Sequence, residues 1–182
     1  MILASGSPQR KAILEQLGLD FRVEVPEVEE RVAGDPAEVV TENALRKARA
    51  RARPGERVLG ADTAVVLDGE LFGKPADAAE AEAFLRRLSG RAHEVMTAIA
   101  LCEDGSERTD VVVTRVRFRE LAQADVDWYL ATGEWRGRAG GYAIQGAGAA
   151  LVEAIEGDYF NVVGLPVAAL LRLVPVTVLH GL

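Results

Sequence analysis

The chain has 182 residues, 49% hydrophobic and 27% charged, which suits one domain with a real core and excludes an intrinsically disordered protein. With 21 Lys and Arg against 28 Asp and Glu, the net charge is −7. This charge excludes a sequence-independent binder of nucleic-acid polymers, because such a protein needs a cationic face. One cysteine, Cys102, and two histidines exclude a disulfide framework and a Cys- or His-rich metal site.

Strand and helix patterns alternate along the chain, which is typical of an α/β domain. We expect a single-domain α/β/α sandwich around a twisted mixed sheet, with the functional site in a cleft at the strand ends. In the first half of the chain we predict strands at 2–4, 21–25 and 58–67, a hairpin turn at 68–69, and helices at 8–17, 35–52 and 77–89. In the second half we predict strands at 93–102, 109–118, 151–155 and 176–179, and helices at 125–132 and 166–173. Ser7, Asp35 and Asp77 are the expected N-caps of the first three helices.

A glycine-rich segment at 133–148 holds six of the 18 glycines. Such a density indicates a backbone that needs unusual angles or approaches something closely. Gln145 lies in this segment, and its amide can both donate and accept, which suits recognition of a base edge. The alternative is a purely structural loop.

The junction between the first strand and the first helix is a candidate phosphate site. A helix N-terminus offers free N–H groups and the positive end of the helix dipole. Ser5, Ser7 and Arg10 would add donors there. The alternative is a well-capped helix with solvated basic residues.

Asp62 lies inside an apolar strand, where a carboxylate is costly unless it is paired or bound to a metal. A general base or a magnesium ligand would explain it, and so would an aspartate that caps a turn. Lys74 follows the hairpin and can return toward Asp62, either as a phosphate-binding cation or as a solvated lysine.

Two further charged features have the same two interpretations. The acidic run at 27–30 can hold Mg²⁺ through oxygen ligands or can simply be solvated. Lys47 follows Ala44 by three residues on the apolar face of its helix, so it either reaches inward to an anion or extends along the surface to water. Cys102 is expected in the core, and His93 has no nucleophile partner for a hydrolase triad.

No apolar run reaches the roughly 18 residues that a membrane span needs, and the first residues lack the basic region of a signal peptide. We therefore expect a cytoplasmic protein with no membrane partner.

Taken in order from Leu3 to Pro166, these segments resemble the Maf family of nucleoside triphosphate pyrophosphatases. The resemblance covers nearly the whole chain, and the ordered set is specific although each motif alone is weak. The matching segments are 3–10, the acidic loop 26–30, the helix segment 44–48, Gly60-Ala61-Asp62-Thr63, Gly73-Lys74-Pro75, Tyr142 to Gly146, and Glu156 to Pro166.

The resemblance implies hydrolysis of a nucleoside triphosphate to a nucleoside monophosphate and pyrophosphate with Mg²⁺ or Mn²⁺. It implies Asp62 as the catalytic base, with Glu30 and Asp62 as metal ligands. The other catalytic and substrate-binding residues that it implies are Lys47, Lys74, Ser5, Ser7, Gln9, Arg10, Thr63 and Gln145.

Base preference is implied by the same resemblance. The Asp-Thr and Ile-Gln-Gly sequences resemble the branch that prefers dTTP and UTP, whereas the branch that prefers 7-methyl-GTP differs at those positions. Gln9 departs from the usual Arg of the dTTP/UTP branch, and the loss of one cation is predicted to weaken triphosphate binding or to shift base choice. Arg138 stands where Lys is common, which keeps the charge.

Two other functions compete with this one. The first is a nucleotide-binding regulatory protein that inhibits septum formation and binds a cell-division partner. Asp62, Lys74 and Glu30 together favour an enzyme, because binding alone has less need for a buried base. The second is a purine-type pyrophosphatase acting on inosine-like nucleotides, against which the Ser-Gly-Ser-Pro opening argues. A homodimer is a further expectation.

Overall fold

The computed structural model describes residues 1–174, so the strand predicted at 176–179 lies outside the described residues. The strands are β1 Ile2–Ala4, β2 Arg22–Val23, β3 Val58–Leu67, β4 Glu70–Phe72, β5 Ala92–Glu103, β6 Ser106–Phe118 and β7 Val152–Glu156. The helices are α1 Pro8–Gln16, α2 Pro36–Arg49, α3 Ala78–Leu88, α4 Gln123–Thr132, α5 Tyr159–Val163 and α6 Val167–Leu173. None of the helices described in this range is long and apolar enough to cross a membrane.

The strands form one seven-stranded sheet in the order β2-β1-β3-β5-β6-β7, with β4 paired to the far end of β3. Strand β1 runs parallel to both β2 and β3, whereas the other pairings are antiparallel. The predicted mixed sheet is therefore confirmed.

Helices cover both faces of this sheet. Successive strand residues point to opposite faces. Ile2 packs in one cluster with Val40 and Ala44 of α2, whereas Leu3 packs in another with Leu14 of α1 and Leu170 of α6. Helices α3 and α4 pack on the same face as α1 and α6, at the other end of β3. These layers confirm the predicted α/β/α sandwich.

The first three helices begin where the capping residues predict, whereas α4 begins at Gln123, two residues before the predicted start at Asp125. The side chains of Ser7, Asp35 and Asp77 each accept a hydrogen bond from the backbone N–H three residues later, at 3.4, 3.1 and 2.9 Å. Each cap satisfies one of the N–H groups that a helix start leaves without a partner. The first of these caps also fixes the turn between β1 and α1.

Strand β3 is longer than its neighbours on one side, and this difference creates a gap. Along that edge, β1 pairs with Val58 to Gly60 and β4 pairs with Val65 to Leu67. Residues 61–64 lie between these two pairings, beyond the carboxyl end of β1. The predicted cleft at strand ends opens here, although Asp62 and Thr63 themselves lie inside β3.

Some elements differ from the sequence prediction. Helix α5 was not predicted, because five residues are too few to establish a helical period. Its start is set instead by Asp158, whose carboxylate accepts from the N–H groups of Phe160 and Asn161. Strand β2 is two residues long rather than five. The glycine-rich segment has positive φ at Gly133, Gly137, Gly140 and Gly141, as its composition indicates.

His93 is a core residue, in agreement with its lack of a nucleophile partner. It is 2% exposed, packs edge-on against Phe118 and Tyr142, and its Nε2 lies 2.8 Å from the Tyr142 hydroxyl. Burial lowers the pKa of His93 from 6.5 to about 4, because the charged imidazolium would lose its hydration.

This burial predicts an acid-sensitive contribution to stability. The unfolded chain takes up a proton at His93 below pH 6.5, whereas the folded chain takes it up only near pH 4. The contribution of neutral His93 to the free energy of unfolding is therefore complete above pH 6.5. It decreases by about 1.4 kcal/mol per pH unit as the pH falls from 6.5 to about 4. We expect His93→Gln to remove this slope, measured by urea unfolding at a series of pH values. If the free energy of unfolding depended on pH in the same way in the wild-type protein and in His93→Gln, His93 would not be the source of the acid sensitivity.

Candidate active site

A cleft of about 380 Å³ opens at the gap beside β3. This volume is within the usual range for a small-molecule site. Its lining includes all ten residues predicted from the sequence, namely Ser5, Ser7, Gln9, Arg10, Glu30, Lys47, Asp62, Thr63, Lys74 and Gln145. Of the acidic run at 27–30, Glu30 is the carboxylate that lines the cleft.

At the centre of the cleft, one ammonium group lies between two carboxylates. Lys47 Nζ is 2.7 Å from Asp62 Oδ1 and 2.8 Å from Glu30 Oε1. The sum of these distances, 5.5 Å, is the upper limit on the separation of the two oxygens. Lys47 is 8% exposed, so the prediction that it reaches inward to an anion is correct, and the alternative that it extends along the surface to water is wrong. The pairing also explains how Asp62 is accommodated in an apolar strand.

Charge and burial act in opposite directions on Glu30. Burial alone would raise its pKa, but the hydrogen bond and charge of Lys47 hold the pKa of Glu30 below its ordinary value, and the charges of Lys74 and Arg10 act in the same direction. Glu30 is therefore an anion in the physiological range. Its side chain lines the cleft and is 38% exposed.

Asn43 fixes the second oxygen of Asp62, and the sequence patterns did not single it out. Its Nδ2 donates to Asp62 Oδ2 at 2.9 Å and to the backbone oxygen of Arg31, also at 2.9 Å. Its Oδ1 accepts from the Arg31 N–H at 2.7 Å. Asn43 thus joins Arg31, which directly follows the acidic loop, to Asp62. Asn43 lies one helical turn before Lys47 in α2, and this spacing is the sequence feature that could have indicated its place in the site.

Close packing of α2 on β3 brings these groups together. A Cβ at Gly60 would lie 2.2 Å from the Ala44 carbonyl oxygen and 2.8 Å from the Ala48 nitrogen. The helix backbone therefore rests directly on the strand two residues before Asp62. Glycine is needed here for its lack of a side chain.

Arg10 connects the elements on the side of the cleft that α2 does not cover. Its Nε donates to the Gly164 carbonyl at 2.8 Å, Nη1 to Ser5 Oγ at 3.0 Å and Nη2 to Thr63 Oγ1 at 3.0 Å. Burial lowers the pKa of the guanidinium, and the charges of Asp62 and Glu30 oppose this effect. Arg10 thus joins the start of α1, β3 and the end of α5.

Thr63 extends this network across the sheet. Its hydroxyl lies 2.9 Å from that of Thr97, which in turn donates to the Asn161 carbonyl at 2.9 Å. Asp62 and Thr63 are neighbours on a strand, so they point to opposite faces and join different networks. The two networks meet at the cleft.

Lys74 and Gln145 are exposed and lie on the rim. The segment that carries Gln145 is held by Glu134, another residue that the sequence patterns did not single out. Its carboxylate accepts from the N–H groups of Ala147 at 3.1 Å and Gly148 at 2.9 Å, and from the Tyr129 hydroxyl at 3.2 Å. This segment is therefore a positioned part of the site.

The chain is similar in sequence to a known protein family and to several named relatives. The family described as Maf-like protein matches residues 1–176. A dTTP/UTP pyrophosphatase of Symbiobacterium thermophilum is 54% identical over 170 residues, which cover 91% of this chain and 88% of the relative. The proteins of the same name from Anaeromyxobacter dehalogenans and Thermus thermophilus are each 49% identical, covering 94% and 95% of this chain and 92% of each relative.

The contact between α2 and β3 can be tested by adding one methyl group. We expect Gly60→Ala to destabilise the fold by about 1–3 kcal/mol, because its Cβ meets helix backbone that cannot rotate away. Urea unfolding measures the change. Gly73→Ala is the matched control, since its Cβ would meet nothing within 4 Å. Equal unfolding free energies for the two variants would contradict the close approach.

Proposed function

The chain belongs to the Maf family, and we propose that it hydrolyses nucleoside triphosphates to a nucleoside monophosphate and pyrophosphate, with dTTP and UTP preferred. The observation that carries this proposal is the grouping of Asp62, Glu30 and Lys47 in one cleft with Arg10 and Lys74. Carboxylates beside cations suit a reaction that activates water next to a phosphate chain. The substrate preference is that named for the relatives.

Asp62 is the proposed base. Lys47 and Asn43 each donate to one of its oxygens, so the carboxylate is held in a single orientation. From there it accepts the proton of a water that attacks the α-phosphorus, as pyrophosphate leaves on the opposite side. Positioning of this kind supplies a large part of catalysis in phosphoryl-group chemistry.

The cations of the cleft have different tasks. Lys74 is exposed on the rim and can move with the phosphate chain, as a flexible point charge. Arg10 has already committed three N–H groups to the protein, so its charge acts mainly from a fixed position. Ser5 and Ser7 orient Arg10 and the start of α1.

A divalent cation fits the donor set. The part of the chain that the structure describes holds no group of three acidic, His or Cys side chains suited to a metal. Mg²⁺, however, is commonly held by one or two carboxylates together with substrate phosphates and water. Glu30 and Asp62 would be those carboxylates, and Mn²⁺ accepts the same ligands. When bound, the cation would neutralise charge that develops on the phosphate oxygens.

Thr63 and Gln145 are the proposed determinants of base preference. Gln145 lies on the rim in a segment held by Glu134, and its amide can donate to and accept from a base edge. Thr63 is fixed by Arg10 and Thr97, which limits the room beside it. Nucleoside triphosphates of the cytoplasm are the proposed pool of substrate.

The reaction class is tested with a panel of nucleotides and Mg²⁺. We expect pyrophosphate to be released from dTTP and UTP, and Asp62→Asn to fold while losing about 10²–10⁴-fold in kcat, because the amide keeps the shape but cannot take a proton. Asp20→Asn, an exposed aspartate outside the cleft, is the control. Release of orthophosphate instead, or a variant that keeps more than about a tenth of the rate, would contradict the proposal.

Base recognition is tested separately. We expect Gln145→Ala to change the ratio of kcat/KM between dTTP, UTP and a purine triphosphate more than it changes the overall rate, because the amide contacts the base and not the phosphates. Gln16→Ala, on the exposed side of α1, should leave the ratio unchanged. A uniform loss across all bases would show that Gln145 does not read the base.

A further inference from the structure

Four cationic side chains line the cleft, and they differ in what already holds them. Lys47 is paired with two carboxylates, and Arg10 donates three hydrogen bonds to the protein. Within residues 1–174, neither Lys74 nor Arg138 has a carboxylate within 4 Å among the ion pairs. Lys74 and Arg138 are therefore in no direct ion pair among the described residues, and Arg138 has no role in the function proposed above.

Arg138 is fixed in place from two directions. The segment that carries it is tied to the Lys74 turn, since the Gly140 N–H donates to the Gly73 carbonyl at 3.0 Å. Its guanidinium reaches the start of α1, where Nη1 donates to Gln9 Oε1. Gln9 Oε1 also accepts from Ser7 Oγ at 3.3 Å, so the amide is itself oriented by the helix cap.

Apart from the contact with Gln9, the guanidinium of Arg138 has no hydrogen-bond partner among the described residues. A guanidinium has five N–H donors, and Gln9 takes one of them. Arg138 Nε is buried and has no hydrogen-bond partner among the described residues. A neutral amide also leaves the positive charge intact, whereas a carboxylate at this position would cancel it.

We propose that Arg138 binds the phosphate chain of the substrate and that Gln9 is the residue that positions it. The planar guanidinium can hold two phosphate oxygens at once, which an ammonium group cannot do with the same geometry. Gln9 thus places the guanidinium of Arg138 in the cleft, although the resemblance to the family indicated only that a cation is lost at position 9. This inference rests on the proposed function for the identity of its ligand.

Binding of inorganic tripolyphosphate, measured by calorimetry without metal, tests the proposal without requiring turnover. We expect Arg138→Ala to weaken binding at least about tenfold, as loss of a charge-assisted contact does. Arg136→Ala is the matched control, because Arg136 lies in the same segment but stacks on Trp135 outside the cleft. Thermal unfolding of each variant verifies that it is folded, and Arg138→Lys gives a second variant that keeps the charge.

The role of Gln9 is tested by two substitutions. Gln9→Glu should weaken tripolyphosphate binding nearly as much as Arg138→Ala, although Arg138 is still present, because the new carboxylate neutralises it. Gln9→Ala should weaken binding less, and should have no further effect once Arg138 is alanine. Equal effects of Gln9→Ala in the two backgrounds would overturn the positioning role.

The outcome for Arg138 is separate from the outcome for the reaction. Unchanged tripolyphosphate binding in Arg138→Ala, or loss of the same size in Arg136→Ala, would overturn the phosphate-binding role even if the enzyme is active. Loss of binding confined to Arg138→Ala, with no hydrolysis of any nucleotide by the wild-type protein, would support the binding role and overturn the proposed function.

Discussion

The contact of Lys47 with Asp62 and Glu30 is the interaction on which the cleft depends. Withdrawing the carboxylates of Asp62 and Glu30 from water is costly, and the ammonium group of Lys47 between them offsets that cost. Removal of Lys47 would leave two carboxylates without the cation that lies between them, whereas removal of either carboxylate would leave one ion pair intact. The ionic group therefore defines a geometry more than it supplies stability, and that geometry also orients the carboxylate proposed to act as the base.

The rest of the fold explains why this group can form. Gly60 lets the backbone of α2 lie against β3, and Asn43 joins Arg31, directly after the acidic loop, to the carboxylate of Asp62. On the other side of β3, the buried Arg10 holds the start of α1 and the end of α5 against Thr63. The two networks come from opposite faces of the sheet and meet where β1 has ended and β4 has not begun.

Much of this arrangement could be predicted from the sequence, for physical reasons. Caps and apolar periodicity are local, so β1, β3 and the first three helices agree closely with their predicted bounds. An aspartate in an apolar strand requires a partner, and a lysine on an apolar helix face can supply one. Asn43, Glu134 and the Gln9–Arg138 pair could not be predicted in this way, because the role of an ordinary polar residue depends on tertiary contacts that no local sequence pattern encodes. The resemblance likewise indicated a lost cation at position 9 but not the arginine that Gln9 contacts.

The two sides of the cleft differ in the sequence separation of the residues that form them. Lys47 and Asn43 lie 15 and 19 residues from Asp62, whereas Arg10 lies 53 residues from Thr63 and 154 from Gly164, and Gln9 lies 129 from Arg138. The entropic cost of closing a loop increases with its length, and local contacts form sooner than distant ones. The charged centre is thus assembled within one short stretch of chain around β3. The contacts of Arg10 and Gln9 that enclose this centre join segments far apart in the chain, so closing them costs more conformational entropy than forming the charged centre does.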